Sequence, residues 1–250
     1  MAPDRRKHRG PHPQDAKLFA ASRGPVLKRA VDELSWLLTR SYPEQAALKL
    51  VGDRYQLTAR QRKAVTRCAC SLQALEGRLN RRLFLESIRD RKVAVDGFNC
   101  LITLESAYSG AVILRGRDGA LRDMASVHGS YRRVKETRLA IEAIGRCLAN
   151  GRAAEVTWYL DRPVSNSGRL AAMLEQQASE RSWLWQVVLC ADPDSVMVST
   201  GAVAASSDSW ILDRCDAWID LPALVLEMQG RVDGAWVVDL GGQARRCLDR

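Results

Sequence analysis

The chain has 250 residues, 46% of them hydrophobic, which is enough to bury a core in one large or two modest domains and excludes a disordered or fibrous protein. Its formal net charge of +9 is unevenly held: residues 1–92 carry 21 Lys/Arg against 9 Asp/Glu, whereas residues 93–250 carry 17 against 20. A basic half attracts polyanions through counterion release, so RNA or another nucleic acid is the expected partner, with an anionic membrane surface second and plain solubility charge as the bland alternative.

No run approaches the roughly 20 apolar residues needed to cross a bilayer, and the basic start lacks the apolar stretch of a secretory signal. No membrane span is therefore expected, and nucleic acid rather than a membrane is the expected partner. The seven cysteines are scattered, with no C-x-x-C pair, and are expected to be reduced thiols of a cytoplasmic protein. With three distant histidines they supply no zinc cluster.

Residues 1–15 read as a basic flexible arm, with Arg5, Arg6, Lys7 and Arg9 beside Gly10, Pro11 and Pro13. Residues 16–91 read as a small all-α, basic domain. Apolar positions from Val26 to Leu38 recur at helical spacing up to Arg40. A second helix follows Tyr42, with Pro43 in its first turn and Gly52 after its end. A third opens on the capping box Thr58-Ala59-Arg60-Gln61 and runs to about Leu75. Arg60, Lys63 and Arg67 share one face of it, suited to tracking a phosphate backbone or to being simply solvated.

At Arg91-Lys92 the pattern changes to short Val-rich runs alternating with helical stretches, which predicts a parallel sheet with helices on both faces over 92–228. Strands are expected at 93–96, 111–114, 156–160, 184–190, 202–206 and 217–219, with a hairpin turn at Arg117-Asp118-Gly119. Residues 229–250 read as a tail with a terminal hairpin around Val232-Asp233-Gly234.

Acids end four of those apolar runs: Asp96, Asp161, Asp192 with Asp194, and Asp208. In an open parallel sheet the carboxyl ends lie along one edge, so these acids would converge on one crevice. Carboxylates held that close repel unless a hard cation lies between them, and oxygen ligands select Mg2+ or Mn2+. Each acid alone has a competing role, since Asp is a preferred helix N-cap and favours first turns. Asn99 would orient Asp96 or serve the same cap, and Asp213 would add an outer ligand or be solvated. Ser165-Asn166-Ser167-Gly168 precedes a helix N-terminus, where backbone amides would hold a phosphate or form an ordinary capped loop. His128 is a lone histidine, catalytic or merely hydrogen-bonded. There is no G-x-G-x-x-G, no P-loop and no G-x-S-x-G elbow.

At Val95-Asp96-Gly97-Phe98-Asn99, Asp161, Asp192-Pro193-Asp194 and Ser206-Ser207-Asp208-Ser209, the second unit resembles the PIN-like superfamily, a Rossmann-like α/β fold, and within it the NYN-type nucleases. More closely, the chain resembles an uncharacterised two-part family. Its first part carries a pattern like Ala46-Ala47-Leu48-Lys49-Leu50-Val51-Gly52-Asp53-Arg54-Tyr55-Gln56-Leu57-Thr58, its second one like Tyr159-Leu160-Asp161-Arg162-Pro163-Val164-Ser165-Asn166-Ser167-Gly168. The nuclease resemblance implies Asp96, Asp161, Asp194 and Asp208 as ligands of Mg2+ or Mn2+, with Asp96, Asp161 and Asp208 catalytic and Glu105 a fifth acid.

The chain departs from it in two places. The hairpin and helix between Asp96 and Asp161 add more chain than a minimal domain of this kind needs, and Arg162 adjoins Asp161.

The expectation is thus a metal-dependent nuclease, an endoribonuclease hydrolysing RNA phosphodiesters, with a homo-oligomer left open. The alternatives are a non-catalytic RNA-binding or adaptor protein on the same fold and, further off, a phosphatase or nucleotide-processing enzyme.

Overall fold

The computed structural model describes residues 9–125, 129, 131–230 and 235–241. The basic run 5–7, His128, the turn at 232–234 and Cys247 lie outside the described residues.

The first part is helical: α1 (Asp15–Leu18), α2 (Gly24–Thr39), α3 (Glu44–Arg54), α4 (Ala59–Cys68) and α5 (Leu72–Arg81). The capping box at Thr58 and Gln61 is formed and starts α4. Two expected boundaries move. Helix α3 runs through Gly52 to Arg54 rather than stopping before it, with Pro43 at its N-cap. The third helix breaks after Cys68 because Ser71 caps a new one, its hydroxyl accepting from the Ala74 amide.

The second part follows as β1 (Lys92–Asp96), α6 (Gly97–Tyr108), β2 (Ile113–Arg115), β3 (Leu121–Asp123), α7 (Thr137–Asn150), β4 (Glu155–Asp161) and α8 (Ser167–Arg181). It continues with β5 (Trp185–Cys190), α9 (Pro193–Ser199), β6 (Val203–Ala205), α10 (Ser209–Leu212), β7 (Trp218–Ile219), α11 (Leu221–Met228) and β8 (Val237–Asp239). Five strands form a wholly parallel sheet in the order β5-β4-β1-β6-β7. Period-two alternation splits its side chains between two layers. Val93, Val95, Trp158 and Leu160 pack on α6, α7, α8 and α11, whereas Ala94, Tyr159 and Trp218 pack on α9 and α10.

A second sheet joins the two parts. Its order is β3-β2-β8, with β2 antiparallel to β3 and parallel to β8. Neighbouring residues of β2 serve opposite cores: Ile113 belongs to that of the α/β part and Leu114 to that of α2, α3 and α4. The small sheet is therefore buried on both faces, and the helical part uses it as a wall. The six described cysteines are free, and no helix among the described residues is long and apolar enough to cross a membrane.

Candidate functional site

The five-stranded sheet winds outward from its centre: after β1 the chain builds β4 and β5 on one side, then β6 and β7 on the other. Strand order therefore reverses between β1 and β6, and a crevice opens outside their carboxyl ends. Asp96 ends β1, and Ser206, Ser207 and Asp208 follow β6. Gly97 lets α6 start close against β4, because a Cβ there would lie 2.5 Å from the Leu160 side chain and 3.0 Å from the Tyr159 carbonyl oxygen.

Asp96, Asp192 and Asp208 each cap a helix and Asp194 lies in the first turn of α9, whereas Asp161 ends β4 five residues before the N-cap of α8. The Asn99 amide donates to Asp96 Oδ1 at 3.3 Å, and the Ser206 hydroxyl donates to Oδ2 at 2.7 Å. The Trp210 amide donates to Asp208 Oδ1 at 2.7 Å and the Ser195 amide to Asp192 Oδ1 at 3.2 Å. Capping takes one oxygen of two, and Asp208 Oδ2 accepts no hydrogen bond among the described residues. Asp194, in the first turn of α9, is half-buried with no hydrogen-bond partner among them. Asn99 Oδ1 accepts from both the amide and the hydroxyl of Ser207 at 3.0 Å, pinning the start of α6 to the loop after β6.

The acids sense one another. Burial pushes the Asp96 carboxyl up to about 7 despite the Ser206 hydrogen bond, and the charges of Asp194 and Asp208 add to the rise. Asp194 is pushed up to about 6 by burial and then by Asp208, Asp161 and Asp192. Asp161 is raised by burial and by Asp192, whereas the exposed Asp192 is lowered by its bonds to Ser195. The donor set, oxygen throughout and mutually repelling, has the chemistry of a hard-cation site. Among the described residues no three His, Cys, Asp or Glu side chains already stand close enough together to hold a metal ion.

Beside the acids lies a cleft of about 250 Å³ whose walls include Phe98, Asn99, Asp208, Arg67 and Arg122. Composition along the chain gives no hint of Arg122. It is buried, its Nε donates to the Ser207 carbonyl at 2.9 Å, and its two Nη atoms meet Asp118 at 2.8 and 2.7 Å.

Other expected site residues lie elsewhere. Glu105 is fully buried far along α6, where it accepts from the Tyr131 and Thr137 hydroxyls and from Arg9 Nε, each at 2.5 Å. Asp213 pairs with Arg78 at 2.6 and 2.9 Å.

The basic face of α4 is not a free phosphate track. Arg60 holds the buried Asp15 at 2.5 and 2.8 Å, Lys63 donates to the carbonyls of Met124 and Ala125, and Arg67 donates to those of Asp123 and Ala125. These side chains dock the helical part, and Arg67 alone of the three also reaches the cleft.

In the loop before α8, Ser165 exchanges backbone bonds with Gly129 and Tyr131, and Asn166, left-handed at φ 73°, donates to the Tyr131 carbonyl at 2.9 Å. The Ser167 hydroxyl donates to the Asp161 carbonyl at 2.5 Å, while Gly168 faces open space.

Residues 85–224 match the model of a family described as a domain of unknown function (DUF5616), and residues 26–81 match that of a protein of unknown function (DUF434). An uncharacterized protein of Methanocaldococcus jannaschii, MJ0935, is 27% identical over 203 residues, covering 80% of this chain and 97% of the relative. No solved structure matches.

Proposed function

We propose that this chain, which belongs to the family described as a domain of unknown function (DUF5616), hydrolyses RNA phosphodiesters with a bound Mg2+ or Mn2+, in the manner of the PIN-like nucleases that its second part resembles. One observation carries the reading: three acids that follow separate strands act on one another beside the point where strand order reverses, the charges of Asp194 and Asp208 raising the proton affinity of Asp96 and that of Asp208 raising the proton affinity of Asp194. Such a cluster is relieved by a divalent cation, which would activate water and neutralise charge developing on phosphorus. Asp96, Asp194 and Asp208 would hold the ion, with Asp161 beside them. Arg67 on the cleft wall would face the phosphate backbone.

The test is calorimetric Mn2+ binding to the full chain, paired with cleavage of a single-stranded RNA. Acid-dependent Mn2+ binding that is lost in Asp96→Asn and Asp208→Asn, together with cleavage by the native chain, is the expected result. Release of phosphate from a monoester without RNA cleavage would overturn the substrate assignment. A second reading, a non-catalytic RNA-binding adaptor on the same fold, is favoured by the lack of a ready-made group of three ligands among the described residues. RNA binding with no Mn2+ binding would decide for it.

A further inference from the structure

Sharing Ala125 with the cleft at the acidic edge, a second cavity of about 390 Å³ lies between the N-terminal segment and the second part, within the usual size range of small-ligand sites. Arg9, Arg60 and Arg132 line it, with Met124 and Ala125 as part of an apolar wall. Two of the three guanidiniums are balanced: Arg9 by Glu105 at 2.5 Å and Arg60 by Asp15 at 2.5 Å. Arg132 is exposed and has no acid partner among the described residues, so the lining keeps one uncompensated positive charge.

Ser106 also lines the cavity. It is 1% exposed, and its hydroxyl has no hydrogen-bond partner among the described residues. A buried hydroxyl without a partner is costly, and an acceptor on a ligand held in the adjoining basic cavity would satisfy it.

We infer that this cavity binds a phosphate monoester, the terminal phosphate of a nucleic-acid strand or of a mononucleotide, with Arg132 supplying the charge and the Ser106 hydroxyl a hydrogen bond. Arginine is suited to phosphate because its planar fork donates two parallel hydrogen bonds. The site uses no residue of the acidic edge.

The experiment measures binding of a 5′-phosphorylated hexaribonucleotide and of its 5′-hydroxyl twin to the full chain in EDTA, where ion-dependent hydrolysis does not proceed. The phosphorylated strand is expected to bind about tenfold tighter, a difference near 1.4 kcal/mol. Arg132→Gln is expected to abolish that preference, and Ser106→Ala to reduce it with no loss of melting temperature. Equal binding of the two strands by the native chain, or a preference that survives both substitutions, overturns the inference. Competition by inorganic phosphate and by adenosine 5′-monophosphate identifies the source: equal competition by both assigns the cavity to the free anion, and competition by the nucleotide alone to a nucleotide end. Loss of RNA cleavage in Asp208→Asn leaves this readout untouched, so the two proposals fail separately.

Discussion

Arg78 Nη1 donates to Asp118 Oδ2 at 2.7 Å, joining the helical part to the turn between β2 and β3 across 40 residues of sequence. Burial works against the Asp118 charge, but the guanidiniums of Arg122 and Arg78 outweigh it and hold the carboxyl well below the usual range. Replacing Asp118 by Asn would leave two buried guanidiniums short of their shared anion. The expected loss is roughly 3–5 kcal/mol, the range for breaking a buried pair on one side. Urea denaturation at pH 7 measures it, and an unchanged midpoint would rule out a structural role for the network.

Asp96 gives a pH-dependent prediction whose sign follows from linkage. Its folded value, about 7, lies above the ordinary 3.8, so between these values the folded state holds the extra proton. Stability from this group is present below pH 4 and is lost as pH rises through 7. Asp96→Asn is expected to raise the melting temperature at pH 8 and to leave it nearly unchanged at pH 4. A stabilisation of equal size at both pH values would mean that the ionised Asp96 is not strained by its neighbours. Mn2+ at pH 8 is expected to stabilise the native chain and not the variant.

Arg60 tests whether α4 grips nucleic acid or the protein itself. Asp15 is fully buried, and Arg60 is its partner. Arg60→Met is expected to destabilise by roughly 3–5 kcal/mol, since it strands a buried carboxylate. RNA affinity and its salt dependence should change little. A lower salt slope at unchanged stability would instead make Arg60 a phosphate contact.

Thr58→Ala removes one half of the capping box and is expected to cost about 1 kcal/mol. The effect should read out as a lower denaturation midpoint without loss of helix in the far-ultraviolet spectrum. Recovery by Thr58→Ser would assign the loss to the hydroxyl.

Much of the fold was legible because local chemistry dictates it. The strand at 93–96, the Thr58 cap, the turn at 117–119 and the alternation of strands with helices all rest on neighbours within a few residues. The misplaced end of the third helix shows where this fails, since Ser71 restarts a helix that periodicity alone would continue. The strand β8 marks a different limit: it pairs with β2, more than a hundred residues earlier in the chain, and no local signal names that partner.

The candidate site divides in the same way. Which acids follow strands is a matter of sequence, and with a parallel sheet this predicts a shared edge for Asp96, Asp161, Asp194 and Asp208. Which charges are free is not. Arg60, Lys63, Glu105 and Asp213 have the residue types that the chemistry needs, yet packing commits each to a partner distant in sequence. Arg122 and Ser106 carry no sequence signal and acquire their places only when the small sheet is buried between the two parts. The reason is physical: strand and helix formation depend on short-range dihedral and hydrogen-bond preferences, whereas the availability of a charge depends on what long-range packing sets against it.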